Sequence, residues 1–432
     1  MQDPQKKKII FSWCMYDWAN SAFATTIMAA VLPIFFRRVA AFTLPPGESQ
    51  LATSIWGYTA SVSMLVVALL SLILGPVADY SSTKKRFLAL FAGVGALCTS
   101  FLALTGKGDW LWVAVLFILG EIGFGGSEVF YDSFLPHLGK PGELDRISVR
   151  AYAYGYLGGG ILLAINIAMI YFIPGTVLEV GGKPVPVLAM QLSFLSVGLW
   201  WVIFSIPILR NVPEPIQEGD RLSGIHPFAI ARERLTSTFY HIRQYKQLFL
   251  FIVAFWFYND GIGTIIKMAT AYGDEIGIGM FDLIGALLLI QAVGIPFSLL
   301  FGKLAGKIGA KRSILIGLGV YVLISIGGYF MTKAVHFWIL AFVDGLVMGG
   351  TQGLSRSLYA SLVPKDKSAE FFSFYNISGK FAGIAGPAVF ALVGQLTGTS
   401  RLGILSLVFF FVVGGGLLMM VKEKEKEIDK EG

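Results

Sequence analysis

Charge is scarce in this chain of 432 residues: Asp, Glu, Lys and Arg together make up 14%, against about 25% in a soluble globular protein. That deficit excludes an ordinary soluble domain. Cysteine is nearly absent as well, with Cys14 and Cys98 alone, so there is no disulfide framework to stabilise a small secreted fold. The four histidines, His137, His226, His241 and His336, form no metal-ligand cluster, and neither metal nor other cofactor is expected. No Gly-x-x-x-x-Gly-Lys-Ser/Thr loop occurs, which disfavours ATP-driven transport. Alternating apolar and polar residues are also missing from the hydrophobic runs, which excludes a membrane β-barrel.

What is present is apolar: 55% of residues are hydrophobic, and glycine alone contributes 51. Runs of about 20 apolar residues match the hydrocarbon thickness at 1.5 Å per residue. Twelve such spans are predicted, near 10–36, 55–78, 87–105, 111–131, 150–173, 188–209, 248–272, 282–302, 313–331, 337–358, 371–393 and 402–421. The chain therefore reads as an all-α polytopic membrane protein. Glycine runs such as Gly158–Gly160 and Gly414–Gly416 are read as close helix packing, because small residues let backbones approach in lipid. The first span follows Lys6-Lys7-Lys8 but is too long, contains Asp17 and lacks a small-residue cleavage site. It is read as a retained helix rather than a signal peptide.

The formal charge of +7 is a topology signal rather than a nucleic-acid footprint. One side of the span map holds Lys6–Lys8, Lys84–Arg86, Lys303, Lys307, Lys311, Arg312 and the lysines of the tail. The other holds only Arg37, Arg38, Lys107, Lys183, Lys333 and Arg401. By the positive-inside rule both termini lie in the cytoplasm, in a multi-pass protein of the cell membrane.

The informative charges are the few inside the spans, where a charge is costly unless it faces the bundle interior or a water-filled cavity. They fall in span one (Asp17), four (Glu121, Glu128), seven (Asp260, Lys267), ten (Asp344, Arg356) and eleven (Lys380). Four of these five spans are spaced three apart, as expected of equivalent helices lining one cavity. Asp17, with Asn20 and Ser21 one turn on, forms a polar cluster in the inner third of the membrane. Glu121, mid-span, is the first choice for a proton-coupling residue, since a mid-membrane carboxylic acid can take up and release a proton. Glu128, two turns on, nears basic residues at the cytoplasmic end. Asp260 and Lys267 are about 10 Å apart along one helix, too far for a direct pair. Lys380 is read as mid-span and as the mobile partner of Asp260 or Asp344, with a fixed Glu121–Lys380 pair as the static alternative. Arg356 either snorkels to the interface or, with Gln352, contacts substrate. Tyr16 and Tyr258, beside the charged clusters, are cavity-lining candidates. The remaining aromatics, Trp13, Trp18, Trp56, Trp110, Trp112 and Trp338 among them, are read as lipid-facing or as an interfacial belt.

The polar stretch 210–247 divides the chain into bundles 1–209 and 248–421, with a tail at 422–432. An internal repeat supports the division. Gly75-Pro-Val-Ala-Asp79-Tyr-Ser-Ser-Thr-Lys84-Lys85 follows span two, and Gly302-Lys-Leu-Ala-Gly306-Lys-Ile-Gly309-Ala-Lys311-Arg312 follows span eight. Spans four and ten end alike, in Tyr131-Asp-Ser-Phe-Leu-Pro136 and Tyr359-Ala-Ser-Leu-Val-Pro364. Both pairs share an offset of 227 or 228 residues, so the halves are parallel repeats. The repeated loop is read as a tight cytoplasmic turn at Gly75 or Gly302. Its basic residues face the anionic leaflet, and Asp79 caps a neighbouring helix to form a gate.

These loops resemble the Gly-x-Leu-Ala-Asp-Arg-x-Gly-Arg-Lys motif of the major facilitator superfamily. The first copy departs at Tyr80 and Ser82, and the second lacks the Asp. The opening Tyr16-Asp17-Trp18-Ala19-Asn20-Ser21-Ala22-Phe23, the end of span four and Gln352-Gly-Leu-Ser-Arg356-Ser are similar to the "unknown major facilitator" family. Its eukaryotic relatives are autophagy-linked vacuolar amino-acid effluxers. The resemblance covers essentially the whole chain. It implies two six-helix bundles with a small-molecule substrate held between spans one, four, seven and ten. The expected function is secondary active transport by alternating access in a monomer, coupled to a proton gradient, with amino-acid export as the finer expectation. Drug or lipid export is the alternative within the fold. A channel is a further alternative, and so is an intramembrane aspartyl protease, whose Gly-x-Gly-Asp motif is missing; no enzymatic activity is expected.

Overall fold

The computed structural model describes residues 4–43, 49–80, 83–139, 141–173, 177–180, 183–214, 243, 245–363, 374–375 and 378–422. Among these described residues, twelve helices are long and apolar enough to cross a membrane. Spans one to six are Pro4–Thr43, Gln50–Leu74, Lys84–Leu104, Trp110–Asp132, Arg150–Phe172 and Val187–Asn211. Spans seven to twelve are Lys246–Glu275, Met280–Ile308, Ala310–Phe330, Ala334–Tyr359, Ser378–Thr397 and Ser400–Met420. Helices are the required solution for such sequences, because lipid offers the backbone no hydrogen-bond partners. A short antiparallel hairpin, Val177–Val180 against Lys183–Pro186, joins spans five and six at the end opposite the chain termini, hereafter the far end.

The packing repeats with the sequence. Span one packs against spans five and six, span four against spans two and three, and span six against span three. Each pairing recurs six spans later: seven with eleven and twelve, ten with eight and nine, twelve with nine. Between the halves, span two meets span eleven and span eight meets span five. The same shift of six interchanges those two seams, so the halves are related by an approximate two-fold operation. This is the two-bundle architecture that the resemblance implies.

Three departures from regular helix position the site. Span one changes to a π-helix over Phe23–Ala30 before returning to α over Val31–Arg38. This eight-residue stretch interrupts the α-helical ladder, and π-turns often mark functional sites. Span eleven begins at Ser378 within the described residues, breaks over residues 382–384 and resumes as Ala385–Thr397. Its far end thus lies four residues beyond the expected boundary. The third departure corrects the loop reading. The helix of span two continues to Tyr80 and that of span eight to Ile308, so Gly75 and Gly302 are helical. A helix of 32 residues is about 48 Å long and simply projects past the hydrocarbon. Among Gly75, Gly302, Gly306 and Gly309, only Gly309, at φ +91°, makes the turn that glycine alone adopts readily.

The glycine runs are packing devices, as expected, but only in part. A Cβ on Gly158 would lie 2.5 Å from the Trp18 carbonyl oxygen of span one, and one on Gly414 would lie 2.9 Å from the Tyr258 nitrogen of span seven. The third glycine of each run has room: a Cβ on Gly160 meets nothing closer than 3.9 Å, and one on Gly416 nothing within 4 Å. Gly158→Ala and Gly414→Ala should therefore each destabilise by about 1–3 kcal/mol, as overpacking against backbone does. Gly160→Ala and Gly416→Ala should change stability by less than about 0.5 kcal/mol. Thermal unfolding of the four purified variants checks this; equal losses across each run would contradict it.

The aromatics also depart from expectation. Trp13, Trp56, Trp201, Tyr16 and Tyr258 are fully buried and form much of the core rather than an interfacial belt. Trp13 stacks on Tyr131 with ring centroids 4.5 Å apart, and its Nε1 donates to the Tyr131 carbonyl at 3.2 Å. Trp112, 65% exposed, does face outward as read.

Candidate functional site

The two halves are bridged by charged and polar side chains at successive depths. The outermost layer joins the far end of span one to that of span seven. The α-helical segment Val31–Arg38 of span one ends in Arg37 and Arg38, whose cations are favoured beside the carbonyls of a helix C-terminus. Both reach Asp274: Arg37 Nη1 pairs with Oδ2, and Arg38 Nε donates to Oδ1 at 2.5 Å. Arg37 Nε also donates to Thr53 Oγ1 of span two at 3.0 Å. The Asp274 side chain is 2% exposed, so this is a buried clamp. Neighbouring seams reinforce it, with Ser54 Oγ donating to the Ala391 carbonyl at 3.1 Å and Tyr58 Oη to Gln395 at 2.8 Å.

The next layer lies at mid-depth. Lys267 Nζ of span seven donates to Glu121 Oε1 of span four at 2.7 Å, and Ser63 of span two donates to the other carboxylate oxygen. Both charged residues are buried, at 2% and 6% exposure for Glu121 and Lys267. Such a pair is stable only where each charge meets its partner and further hydrogen bonds. The backbone around it is also pinned across the halves: Trp56 Nε1 donates to the Lys267 carbonyl at 3.0 Å, and Thr270 Oγ1 to the Ala29 carbonyl at 2.6 Å. That acceptor carbonyl lies in the π-helical stretch of span one.

Toward the terminal end, Lys380 Nζ reaches Glu128 Oε2 at 3.4 Å and the Gly125 carbonyl at 3.3 Å. The pairing therefore differs from both readings offered for Lys380. It meets Glu128 rather than Asp260, Asp344 or Glu121, while Glu121 is held by Lys267. Asp260 and Lys267 do not pair with each other, as their separation requires. Asp260 instead accepts the Gly386 N–H at 2.8 Å, capping the resumed half of span eleven where the break leaves backbone donors open.

Asp17, Asn20, Tyr16 and Tyr258 stay within one half. Asp17 accepts from Tyr131 Oη at 3.0 Å, so the opening motif of span one and the closing motif of span four meet. Asn20 is buried beside them at 2% exposure. Tyr16 packs on Tyr131 at 5.0 Å, and Tyr258 donates to Ser355 Oγ at 2.7 Å. Both are enclosed in their own bundles, which corrects their placement on the cavity wall. Arg356 is half-buried, with Asp132 in electrostatic reach across the gap between the halves.

The described loop lysines also bind within their own half. Lys85 Nζ donates to the Leu209 carbonyl at the end of span six, and Lys311 Nζ to the Met419 and Val421 carbonyls at the end of span twelve. Lys84 Nζ reaches the Ser133 carbonyl at 3.3 Å. Each of these bonds ties helices of one half together by satisfying carbonyls at a helix C-terminus. Arg312 is exposed, and the side chain of Asp79 lies outside the described residues.

A cavity of about 250 Å³ opens between the halves, on the seam of spans five and eight. Its wall is mainly apolar, with Leu163, Ile265 and Ile290, and its polar members include Tyr156, Gln291 and Gln352. Asp344 of span ten points into the same space. Sequence reasoning passed over Arg37, Arg38, Asp274 and Ser63. The signal available was an arginine pair on the side of the map where the positive-inside bias leaves few.

A family described as "Vacuole effluxer Atg22 like" matches residues 5–431. The MFS-type transporter YxiO of Bacillus subtilis (strain 168) is 40% identical over 398 residues, covering 92% of this chain and 91% of that protein. Autophagy-related protein 22 of Coccidioides immitis (strain RS) is 24% identical, covering 94% and 85%. Among solved structures, the inward-open xylose transporter XylE from E. coli aligns with a TM-score of 0.70 at 12% identity, over 98% of both chains. A bacterial homolog of the human lysosomal transporter Spinster aligns with a TM-score of 0.66 at 14% identity, again over 98% of both. At such identities the likeness speaks to the fold.

Proposed function

The chain belongs to the vacuole effluxer Atg22-like family of major facilitator transporters, and from that premise we propose that it carries a small solute by alternating access, driven by a proton gradient. The observation that supports this best is the Glu121–Lys267 pair, a buried ion pair whose two members lie on different halves. Rocking bundles 1–209 and 248–421, joined by 210–247, must separate such a pair in every cycle. Separating two buried charges is expensive, but protonating the carboxylate removes the attraction that holds them. A proton is thus a natural key for this lock.

The positive-inside bias places both termini in the cytoplasm of a cell-membrane protein. On that orientation the far end faces outward and is sealed by Arg37, Arg38 and Asp274. The cross-half hydrogen bonds run from there to the level of Glu128. Amino-acid export is the finer reading, carried by the family resemblance. A thermal-shift screen against amino acids, peptides, organic cations and organic anions identifies a ligand, since binding raises apparent stability by mass action. Counterflow of that ligand, labelled, in proteoliposomes then tests the carrier: exchange is expected, and its absence would overturn alternating access.

A further inference from the structure

Asp344 is 5% exposed and lies in a wall of the cavity between spans five and eight. Its Oδ1 finds no hydrogen-bond partner among the described residues. Tyr321 lies within electrostatic reach from span nine, and Tyr156 from span five, but neither brings a positive charge. Asp344 is the one charged residue in the lining. Lys267 and Lys380 are held elsewhere, by Glu121 and Glu128. A buried carboxylate without a cation is a costly arrangement, since buried charges are normally paired. Among the described residues, the cavity lining therefore holds no positive charge to set against Asp344.

The remaining lining tells what body that cation carries. Leu163, Ile265, Leu287, Ile290 and Met348 give an apolar wall, and Tyr152 and Tyr156 supply aromatic faces, which attract organic cations. Gln291 offers an amide oxygen. Thr25, in the π-helical stretch, already donates its hydroxyl hydrogen to backbone carbonyls, Ser21 at 3.1 Å and Gly159 at 3.3 Å. Its free lone pairs can only accept. The polar groups thus favour a ligand that donates, as an ammonium does with three N–H bonds. A ligand carboxylate would find only neutral amide and hydroxyl donors and no cation in this lining. The volume, about 250 Å³, falls below the roughly 300–1,000 Å³ of drug-sized pockets, so the body is small.

We infer that this cavity binds a small protonated amine with a short apolar body, its ammonium group on Asp344, and that a net cation is preferred there over a zwitterion or an anion. This rests on the transporter reading only in making the amine a transported solute; the binding site itself stands independently. Three probes with one branched skeleton separate the charge types: isopentylamine, leucine and 4-methylpentanoate. In thermal-shift titrations of the purified full chain, isopentylamine should stabilise most and 4-methylpentanoate not at all. Asp344→Asn should weaken the amine by at least about tenfold, the loss expected when a charged hydrogen bond goes.

Should that variant fail to fold, a reporter that keeps Asp344 decides the matter. Gln352 is exposed on the lining, and Cys14 and Cys98 are buried, so Gln352→Cys gives one reactive thiol. Isopentylamine should slow its alkylation by maleimide, and 4-methylpentanoate should not. Equal effects of all three probes, or an amine response unchanged in Asp344→Asn, would overturn the proposal. Amine binding through Asp344 without counterflow of labelled isopentylamine would leave the site intact and remove the amine as a solute carried by this protein.

Discussion

Replacing Asp274 by alanine is expected to open the far end of the protein to reagents that do not reach it in the parent chain. Arg37 and Arg38 are buried there, with side-chain exposures of 7% and 11%, and both point at this carboxylate. Removing one partner of a buried ion pair typically costs about 3–5 kcal/mol, because the other charge is left uncompensated. The penalty falls on the sealed arrangement alone. Once spans one and seven part, water solvates both guanidinium groups. With about 1.4 kcal/mol per factor of ten, the balance between sealed and open ends should move by two to three orders of magnitude.

The measurement is the alkylation rate of a Ser54→Cys reporter by a membrane-impermeant maleimide. Ser54 lies 1% exposed in the seam between spans two and eleven, and cysteine matches it in size. The rate should rise steeply when Asp274→Ala is added. A second comparison separates lost charge from lost packing. Replacing all three residues together, Arg37→Met, Arg38→Met and Asp274→Leu, removes the uncompensated charges, and apolar replacement of a buried pair is often neutral. The triple variant should therefore seal again. If Asp274→Ala changes neither the labelling rate nor the thermal midpoint, the clamp does not hold this end shut.

The spans and the repeat were legible in the sequence because both are local properties. Hydrocarbon thickness fixes the length of an apolar run, and the offset shared by Tyr131 and Tyr359 needs no knowledge of packing. The sequence also revealed which helices carry charge. It did not reveal which charge meets which. Glu121 and Lys267 sit on helices of different halves, and their meeting depends on the rotation of each helix about its own axis and on the docking of the halves. Spacing along one helix specifies neither, so Lys380 was assigned to the wrong acids. Span eleven escaped for a different reason. Its break over residues 382–384 contains Gly383, but glycine is so frequent in this chain that one more carries no signal. Only the Asp260 cap on Gly386, a contact from another helix, gives the break its meaning. Asp274 was missed because it lies at the end of an apolar run, where an acid usually marks solvent rather than a buried partner.

Glu121→Gln should uncouple transport from the proton gradient while leaving exchange in place. In the parent chain the carboxylate has two competitors, the Lys267 ammonium at 2.7 Å and a proton. Opening the sealed end requires Glu121 to let Lys267 go. A carboxylate that has taken a proton no longer attracts the lysine by charge, so protonation and opening become linked steps, which is what coupling demands. Glutamine keeps the shape, and its amide oxygen can still accept from Lys267 while its NH2 group donates toward the Ser63 hydroxyl, but it cannot titrate. Every cycle then runs without a proton. In proteoliposomes, counterflow of labelled solute should persist in the variant, while accumulation driven by an imposed pH gradient should fall to the level seen without one. Lys267→Met should be the more damaging single change, because it leaves Glu121 buried with Ser63 alone, a loss on the scale of about 3–5 kcal/mol. Combining it with Glu121→Gln should recover much of the stability, since the uncompensated charge is then gone. Gradient-driven accumulation that survives Glu121→Gln would place proton coupling at another acid, with Asp260 and Asp17 the next to replace.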